Sequence, residues 1–344
     1  MKVLVTGAAG QVGSRLTRQL VAKNHQVVAA ILPNDPLAGR LTGLPVDIRE
    51  GNLLDWSFVQ SVVGEVDAVI HTANFVSSTL EAFQNNLMNT FYLVHAAAQR
   101  SSAIHRFVHI SSSAVYPNDS HLLAPCYHPV DEAHPKRPVG VYAIGKWAGE
   151  RIVWDVAQST NLKVTVIRPT AILSEDKILT RWTTGFVAAL LRAGWQHPKS
   201  EIHHPEGDQL AERLLQEQGS DRLCAVTDTN GRPWSQQVVD ARDVARICAV
   251  SLEHPSADGE AFNVSGPGPL PFPEACRLIA NLTGESVLSY ETPVRWVFDL
   301  DNTKARSLIG FQPEWSIPLM IRSALLSRKT GREPFTPEET EQEV

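Results

Sequence analysis

Three glycines, Gly7, Gly10 and Gly13, stand at equal spacing directly behind a short apolar run, Val3 to Thr6. They head a stretch in which Val12, Leu16, Leu20 and Val21 recur at helical spacing. The order is strand, tight turn, helix. It constrains the chain more than any other feature, because a strand feeding a helix through so short a turn is the first half of a parallel βαβ unit. Glycines there allow a tight reversal, let backbone N–H groups approach an anion without an intervening Cβ, and let helix and strand pack closely. The N-terminus of the following helix favours negative charge. A dinucleotide pyrophosphate fits this arrangement, held by the backbone from Gly7 through Gln11 and Val12 to Gly13.

The alternation continues downstream. Gln26 to Leu32, Val46 to Glu50, Val66 to His71, Arg106 to Ser111 and Lys163 to Arg168 read as strands, and stretches near 56–63, 81–99 and 141–156 as helices. This predicts an α/β fold, a Rossmann-type doubly wound parallel sheet over residues 1–170 with right-handed crossovers. After Pro169 the rhythm breaks into a helical stretch (183–193), a polar segment (196–222) and an Asn230-Gly231 hairpin signal. A helix (242–252), a strand (261–264) and a further helix (273–282) follow. Residues 171–330 are expected to form mostly a smaller C-terminal substrate-binding lobe, with 236–252 returning to the first domain. The acidic residues 333–344 are expected to be a poorly ordered tail.

Composition excludes several classes. The 31 Lys and Arg against 37 Asp and Glu leave a net charge of -6, so no basic footprint for nucleic acid exists. The most apolar stretches, such as Trp182 to Trp195, are shorter than the ~20 residues of a membrane span and carry charge. The N-terminus meets Gly7 before a secretory apolar region could form. Cys126, Cys224, Cys248 and Cys276 contain no CxxC pair, which argues against a disulfide framework or zinc knuckle and for a reducing cytoplasm. His197, Glu201, His203, His204, Glu206 and Asp208 crowd one polar segment, but no regular spacing orders them as ligands, and no metal is expected.

Tyr142-Ala143-Ile144-Gly145-Lys146 places a phenol and an ammonium one helical turn apart, so both address the same small volume. A phenol with pKa near 10 is a poor base at neutral pH, and an adjacent cation favours its phenolate. By itself such a pair is most often a packed ring beside a solvated charge. Ser111-Ser112-Ser113-Ala114-Val115-Tyr116 follows the fifth strand and adds a hydroxyl; by itself, a Ser-rich strand end also forms turn hydrogen bonds.

Together these segments resemble the extended branch of the short-chain dehydrogenase/reductase superfamily, the NAD-dependent epimerase/dehydratase family, to about residue 325. Asp67 to Asn74 resembles its fourth-strand segment, and Asn86 to Thr90 its N-x-x-G-T motif with Asn89 in place of Gly. Arg168-Pro169-Thr170 resembles its R-P segment. Asp243-Val244-Ala245, and Asp301 to Ala305 followed by Leu308 to Pro313, are similar to later signatures with an architectural role. The resemblance implies that Ser112 orients a substrate carbonyl or alcohol, that Tyr142 transfers the proton as general acid or base, and that Lys146 also binds the nicotinamide ribose. It implies that Thr72, Ala73, Asn74, Ser111, Pro169 and Thr170 border the cofactor.

The chain departs from the family at the second strand. Ile31 stands where NAD-preferring members carry an acid and Leu32 where many NADP-preferring members carry Arg. Asp35 can reach a ribose diol and Arg40 a 2′-phosphate, so NAD or NADP stays open with a lean to NAD. Asn52 and Leu53 replace an Asp-Leu near the adenine. Ser113-Ala114 replaces the Asp-Glu of dehydratases, which disfavours dehydratase chemistry, and Gln236-Gln237 replaces an Arg-Asp of sugar-nucleotide epimerases, so a nucleotide-diphosphate substrate loses support although Arg232 on the hairpin could substitute.

The expected function is NAD(P)-dependent hydride transfer at a secondary alcohol or ketone of a small polar, sugar-like substrate. The alternatives are a sugar or nucleotide-sugar epimerase and, in another class, a non-catalytic NAD(P)-sensing regulator. A homodimer is expected, without nucleic-acid or membrane partners.

Overall fold

A computed structural model of the chain describes residues 1–75, 79–117 and 122–342. The apolar run at the N-terminus becomes β1 (Lys2–Thr6), and the glycine turn leads into α1 (Gln11–Ala22). There follow β2 (Gln26–Ile31), β3 (Asp47–Glu50), α2 (Trp56–Gly64), β4 (Ala68–His71), α3 (Leu80–Ala98), β5 (Arg106–Ile110), α4 (Val141–Ser159) and β6 (Val164–Pro169). Beyond Pro169 come β7 (Ile172–Leu173), α5 (Thr184–Gln196), α6 (Gly207–Gln218), β8 (Leu223–Asp228), β9 (Ser235–Gln236), β10 (Val239–Asp240) and α7 (Ala241–Glu253). The chain continues through β11 (Glu260–Val264), β12 (Leu270–Pro271), α8 (Phe272–Thr283), β13 (Val287–Thr292), α9 (Thr303–Ile309), α10 (Ile317–Thr330) and α11 (Pro337–Gln342).

The central sheet is parallel, in the order β11-β6-β5-β4-β1-β2-β3. Alternation along β1 divides two cores. Val3 and Val5 meet Leu16 and Leu20 of α1 and Val244 and Ile247 of α7 on one face. Leu4 meets Val59, Leu93 and Val153 of α2, α3 and α4 on the other. Burial on both faces is why these strands read as continuous apolar runs. A third core, built around Trp182, Trp234, Phe272 and Trp315, belongs to the C-terminal lobe.

Four expectations differ from what is observed. Residues 260–264, read as a lobe strand, pair in parallel with β6 (Ala261 with Val166, Asn263 with Arg168) as the seventh strand of the main sheet. The polar segment contains α6, whose Ala211 and Leu214 are buried beneath a charged outer face. The Asn230-Gly231 turn closes, with Asp228 N donating to Arg232 O at 2.8 Å, but the return strand is a single bridge, Thr227 to Pro233. The bonds from Asp228 N to Arg232 O and from Trp234 N to Val226 O, the latter at 3.1 Å, flank that bridge, and the extended partner of β8 is the parallel β13. The tail is ordered across its described residues: Glu333 pairs with the buried Arg15 of α1, Pro334 O accepts from Arg242 Nη1 at 2.6 Å, and Thr340 is buried. Residues 343–344 lie outside the described residues. No helix among the described residues is long and apolar enough to cross a membrane.

Candidate active site

A cleft of about 720 Å³ opens at the carboxyl ends of the central strands, where ligands bind in open α/β sheets. The turn after β1 contributes Gly7, Gly10, Gln11, Val12 and Gly13. The ends of β2 and β3 contribute Ile31, Leu32, Asp35, Asn52 and Leu53. The end of β4 contributes Thr72, Ala73 and Asn74, and Ser111, Ser112, Tyr142, Lys146, Pro169 and Thr170 complete the set. Every nominated residue therefore borders one cavity except Arg40, which is not among the lining residues. Arg232 is also absent from the lining and pairs with Asp228 at 2.7 Å.

The glycines are needed for local reasons. Gly7 has φ of +63°, and a Cβ there would lie 2.7 Å from Ala73 Cα; a Cβ on Gly13 would lie 2.1 Å from Gly7 O. Gly10 N donates to Gly7 O at 2.9 Å and closes the turn. No side chain caps the N-terminus of α1. The neighbouring Gln11 reaches away, donating Nε2 to Ser174 Oγ at 2.8 Å and so tying the turn to the segment after β7.

At the end of β2, Ile31 is 3% exposed and Leu32 40%. Asp35 Oδ1 accepts from Leu37 N at 2.9 Å. It is the only carboxylate among the described residues that line the cleft. Asn52 Oδ1 accepts from Leu54 N at 2.9 Å and shapes the turn after β3.

Helix α4 presents Tyr142, Lys146 and Glu150 on successive turns of one face. Lys146 Nζ donates to Ile110 O at 3.0 Å, at the end of β5. Burial of its surroundings lowers its pKa to about 8. Ser112 Oγ accepts from Ala114 N at 3.1 Å, the turn bond expected of a Ser-rich strand end, while its side chain lines the cleft. Behind the lysine, His71 and His109 lie 5.6 Å apart between ring centroids. Burial first, and then the Lys146 charge, bring His71 down to about 3. Both histidines are therefore neutral.

Several residues of the later signatures serve the fold. Arg168 faces away from the cleft toward Glu150, and Asp243 accepts from Glu314 N and Trp315 N, both at 2.9 Å. Lys304 Nζ donates to Ala261 O at 2.9 Å. Gln237 donates to Gly266 O and accepts from Leu300 N, each at 2.8 Å.

Twelve described lining residues were not nominated from the sequence, among them Phe75, Asn89, Lys177 and Arg181. Asn86 grips the Phe75 backbone from both sides, at 2.8 and 2.9 Å, which gives the Asn of the N-x-x-G-T-like motif its role. The side-chain oxygens of Asn74, Asn89, Ser111 and Thr170 are buried with no hydrogen-bond partner. Four such atoms on one cavity wall are what a polar ligand would satisfy. No group of three or more His, Cys, Asp or Glu side chains among the described residues could hold a metal ion. His203 instead meets Gly194 O at 3.1 Å, and His204 accepts from Glu206 N at 3.2 Å.

The profile of the NAD dependent epimerase/dehydratase family matches residues 3–265. Among characterised proteins, the chain is 35% identical over 136 residues to a UDP-glucose 4-epimerase of Erwinia amylovora, covering 35% of this chain and 39% of that one. It is 30% identical over 187 residues to cinnamoyl-CoA reductase 2 of Medicago truncatula, covering 50% and 54%. These matches thus span about half or less of the relatives' own length. A short-chain dehydrogenase/reductase superfamily protein of Agrobacterium tumefaciens, crystallised with NAD, superposes with a TM-score of 0.78 at 25% identity, over 96% of this chain and all of that one.

Proposed function

The chain belongs to the NAD dependent epimerase/dehydratase family, and on that premise we propose that it is an NAD-dependent enzyme acting on a secondary alcohol or ketone of a small polar, sugar-like substrate. The observation that carries this is the convergence of Ser112, Tyr142 and Lys146 on the cleft that the glycine turn also borders. The cleft fits a dinucleotide: no Cβ obstructs the turn, and four buried oxygens on its wall have no partner. The backbone from Gly7 to Gly13 would hold the pyrophosphate, Asp35 the adenosine ribose and Lys146 the nicotinamide ribose, with Asn52, Leu53, Thr72, Ala73, Asn74, Ser111, Pro169 and Thr170 bordering the remainder. NAD, when bound, supplies the hydride acceptor or donor.

The chain's own residues manage the proton and the orientation. Ser112 Oγ donates to or accepts from the reacting oxygen. Tyr142 Oη takes the alcohol proton during oxidation and returns it during reduction. The Lys146 cation, on the next turn of α4, favours the phenolate that makes Tyr142 a base. Asp35, and a lining near the end of β2 that holds no cation among the described residues, support NAD over NADP.

Tyr142→Phe tests the assignment. Turnover should fall by at least the ~10²-fold of general acid–base catalysis while NAD affinity stays within a few-fold of the parent. Unchanged turnover would move the proton elsewhere. Reduced nicotinamide accumulating with product marks net oxidoreduction, and product inversion without it marks the epimerase alternative. Cofactor binding with no turnover on any substrate would favour the regulator.

A homodimer through α3 and α4 completes the reading: Leu80, Met88 and Phe91 on one helix and Ile144 on the other are exposed apolar side chains. Sedimentation at two protein concentrations tests it, with Phe91→Glu shifting the species toward monomer. The four free thiols support a reducing cytoplasm.

A further inference from the structure

Residues 333–342, acidic enough to read as a loose tail, are docked against α1 behind the glycine turn. Glu333 pairs with Arg15, a side chain in the second turn of that helix and only 4% exposed. Pro334 is buried, and its carbonyl accepts from Arg242 Nη1 at 2.6 Å. Glu339 Oε2 then accepts from Phe335 N at 2.8 Å while Thr336 Oγ1 accepts from Glu339 N at 3.3 Å, and Thr340 is buried. Reciprocal bonds of this kind fix a helix start.

Arg15 carries this docking inward. Its Nη1 donates to Gln11 O, in the first turn of α1, at 2.6 Å. The Gln11 side chain is held as well, by Ser174 Oγ just past β7. Strand β7 pairs with β10, Leu173 opposite Asp240, and the Asp240 carboxylate accepts from Arg242 Nε and Nη2 at 2.7 and 2.6 Å. Arg242 leads back to Pro334. The contacts therefore close a circuit that begins and ends at Gln11, with the C-terminal segment as one side of it. Gln11 borders the cleft beside Gly10. No side chain caps α1, so the N–H groups of its first turn are left for an anion, and whatever holds Gln11 sets their direction.

We propose that the C-terminal segment is part of the dinucleotide site: Glu333 and the residues after it, acting through Arg15, fix the first turn of α1 in the pose that meets the pyrophosphate. NAD affinity then depends on the segment being docked. This rests on the dinucleotide reading of the cleft and adds to it a positioning role for Arg15 and Glu333, neither of which is among the lining residues. Coupling of this kind is reciprocal, so bound NAD must also hold the segment down.

NAD affinity is read by fluorescence titration in the parent, in a chain ending at Arg332 and in the double variant Arg15→Met/Glu333→Leu. Both altered chains should bind NAD about fivefold or more weakly than the parent. The double variant replaces the ion pair by apolar groups, so its urea midpoint should stay close to the parent's, and its weaker binding then reflects a lost hold on Gln11 rather than a lost fold. In the unaltered parent, the amide hydrogens of residues 333–342 should exchange more slowly when NAD is bound. Parent-like or tighter NAD binding by either altered chain overturns the proposal, and so does exchange over 333–342 that NAD leaves unchanged. If the double variant unfolds, the exchange measurement on the parent decides alone. A parent that binds neither NAD nor NADP refutes the dinucleotide reading, and the proposal falls with it; NAD binding that is indifferent to the segment refutes the proposal and leaves that reading standing.

Discussion

Arg168 on β6 donates Nε to Oε2 of Glu150 on α4 at 3.1 Å, and both side chains are buried. Glu150 lies one helical turn beyond Lys146 and two beyond Tyr142, so this pair pins the face that carries both to the central sheet. Arg168 Nη1 also donates to Tyr116 Oη at 2.6 Å, which donates to Asn263 Oδ1 on β11 at 2.8 Å. Removing one member leaves the other charge buried and unpaired. Glu150→Ala should therefore cost about 3–5 kcal/mol in urea unfolding, whereas Arg168→Met with Glu150→Leu should recover most of it. A loss in the double variant equal to the sum of the Arg168→Met and Glu150→Leu losses would show that the pair is not coupled.

At the glycine turn, Gly13 is more restrictive than Gly10, because its Cβ would meet the Gly7 carbonyl at 2.1 Å while that of Gly10 would stand 3.0 Å away. Gly13→Ala must displace backbone and should abolish NAD binding, read by fluorescence titration. Gly10→Ala should weaken binding less, and Gly10→Val more. Parent-like affinity in Gly13→Ala would remove the turn from the site.

The pH dependence of stability carries the mark of Lys146. Its pKa of about 8 lies below the ordinary 10.5, so between these values the unfolded chain binds more protons than the folded one. Stability then rises with pH through that window. Below pH 8 the full cost of burying the ammonium is present, and above 10.5 it is gone. From pH 7 to 9.5 the apo protein should gain up to about 2 kcal/mol relative to Lys146→Met. This is an upper value, because the ammonium borders an open cleft and water screens it. A parallel pH profile in the two proteins would refute it.

Cofactor choice turns on Leu32 rather than Ile31. Leu32 is exposed at the cleft, whereas a carboxylate at the buried Ile31 would cost desolvation. The parent should prefer NAD. Leu32→Arg should raise the NADP-to-NAD ratio of kcat/KM about tenfold or more by offering a fork to the 2′-phosphate. A parent that favours NADP would bring Arg40 back into consideration.

What the amino-acid order determined by itself is what lies within a few residues along the chain. The spacing of Gly7, Gly10 and Gly13 marks a turn, the spacing of Tyr142 and Lys146 marks one helix face, and the apolar runs with their helical intervals mark a doubly wound sheet. These are local or periodic signals, set by backbone sterics and by the pitch of helix and strand. Only the tertiary structure decided the rest, because those relationships join residues far apart in sequence. It brought residues 260–264 beside β6 as a seventh strand, paired Arg168 with Glu150, and anchored Glu333 on Arg15 where composition alone suggested a loose tail. It also turned Lys177 and Arg181 into the cleft and left Arg40 and Arg232 out of its lining. A side chain's charge is legible in one dimension, but the cavity it faces is made by elements that meet only when the chain is packed.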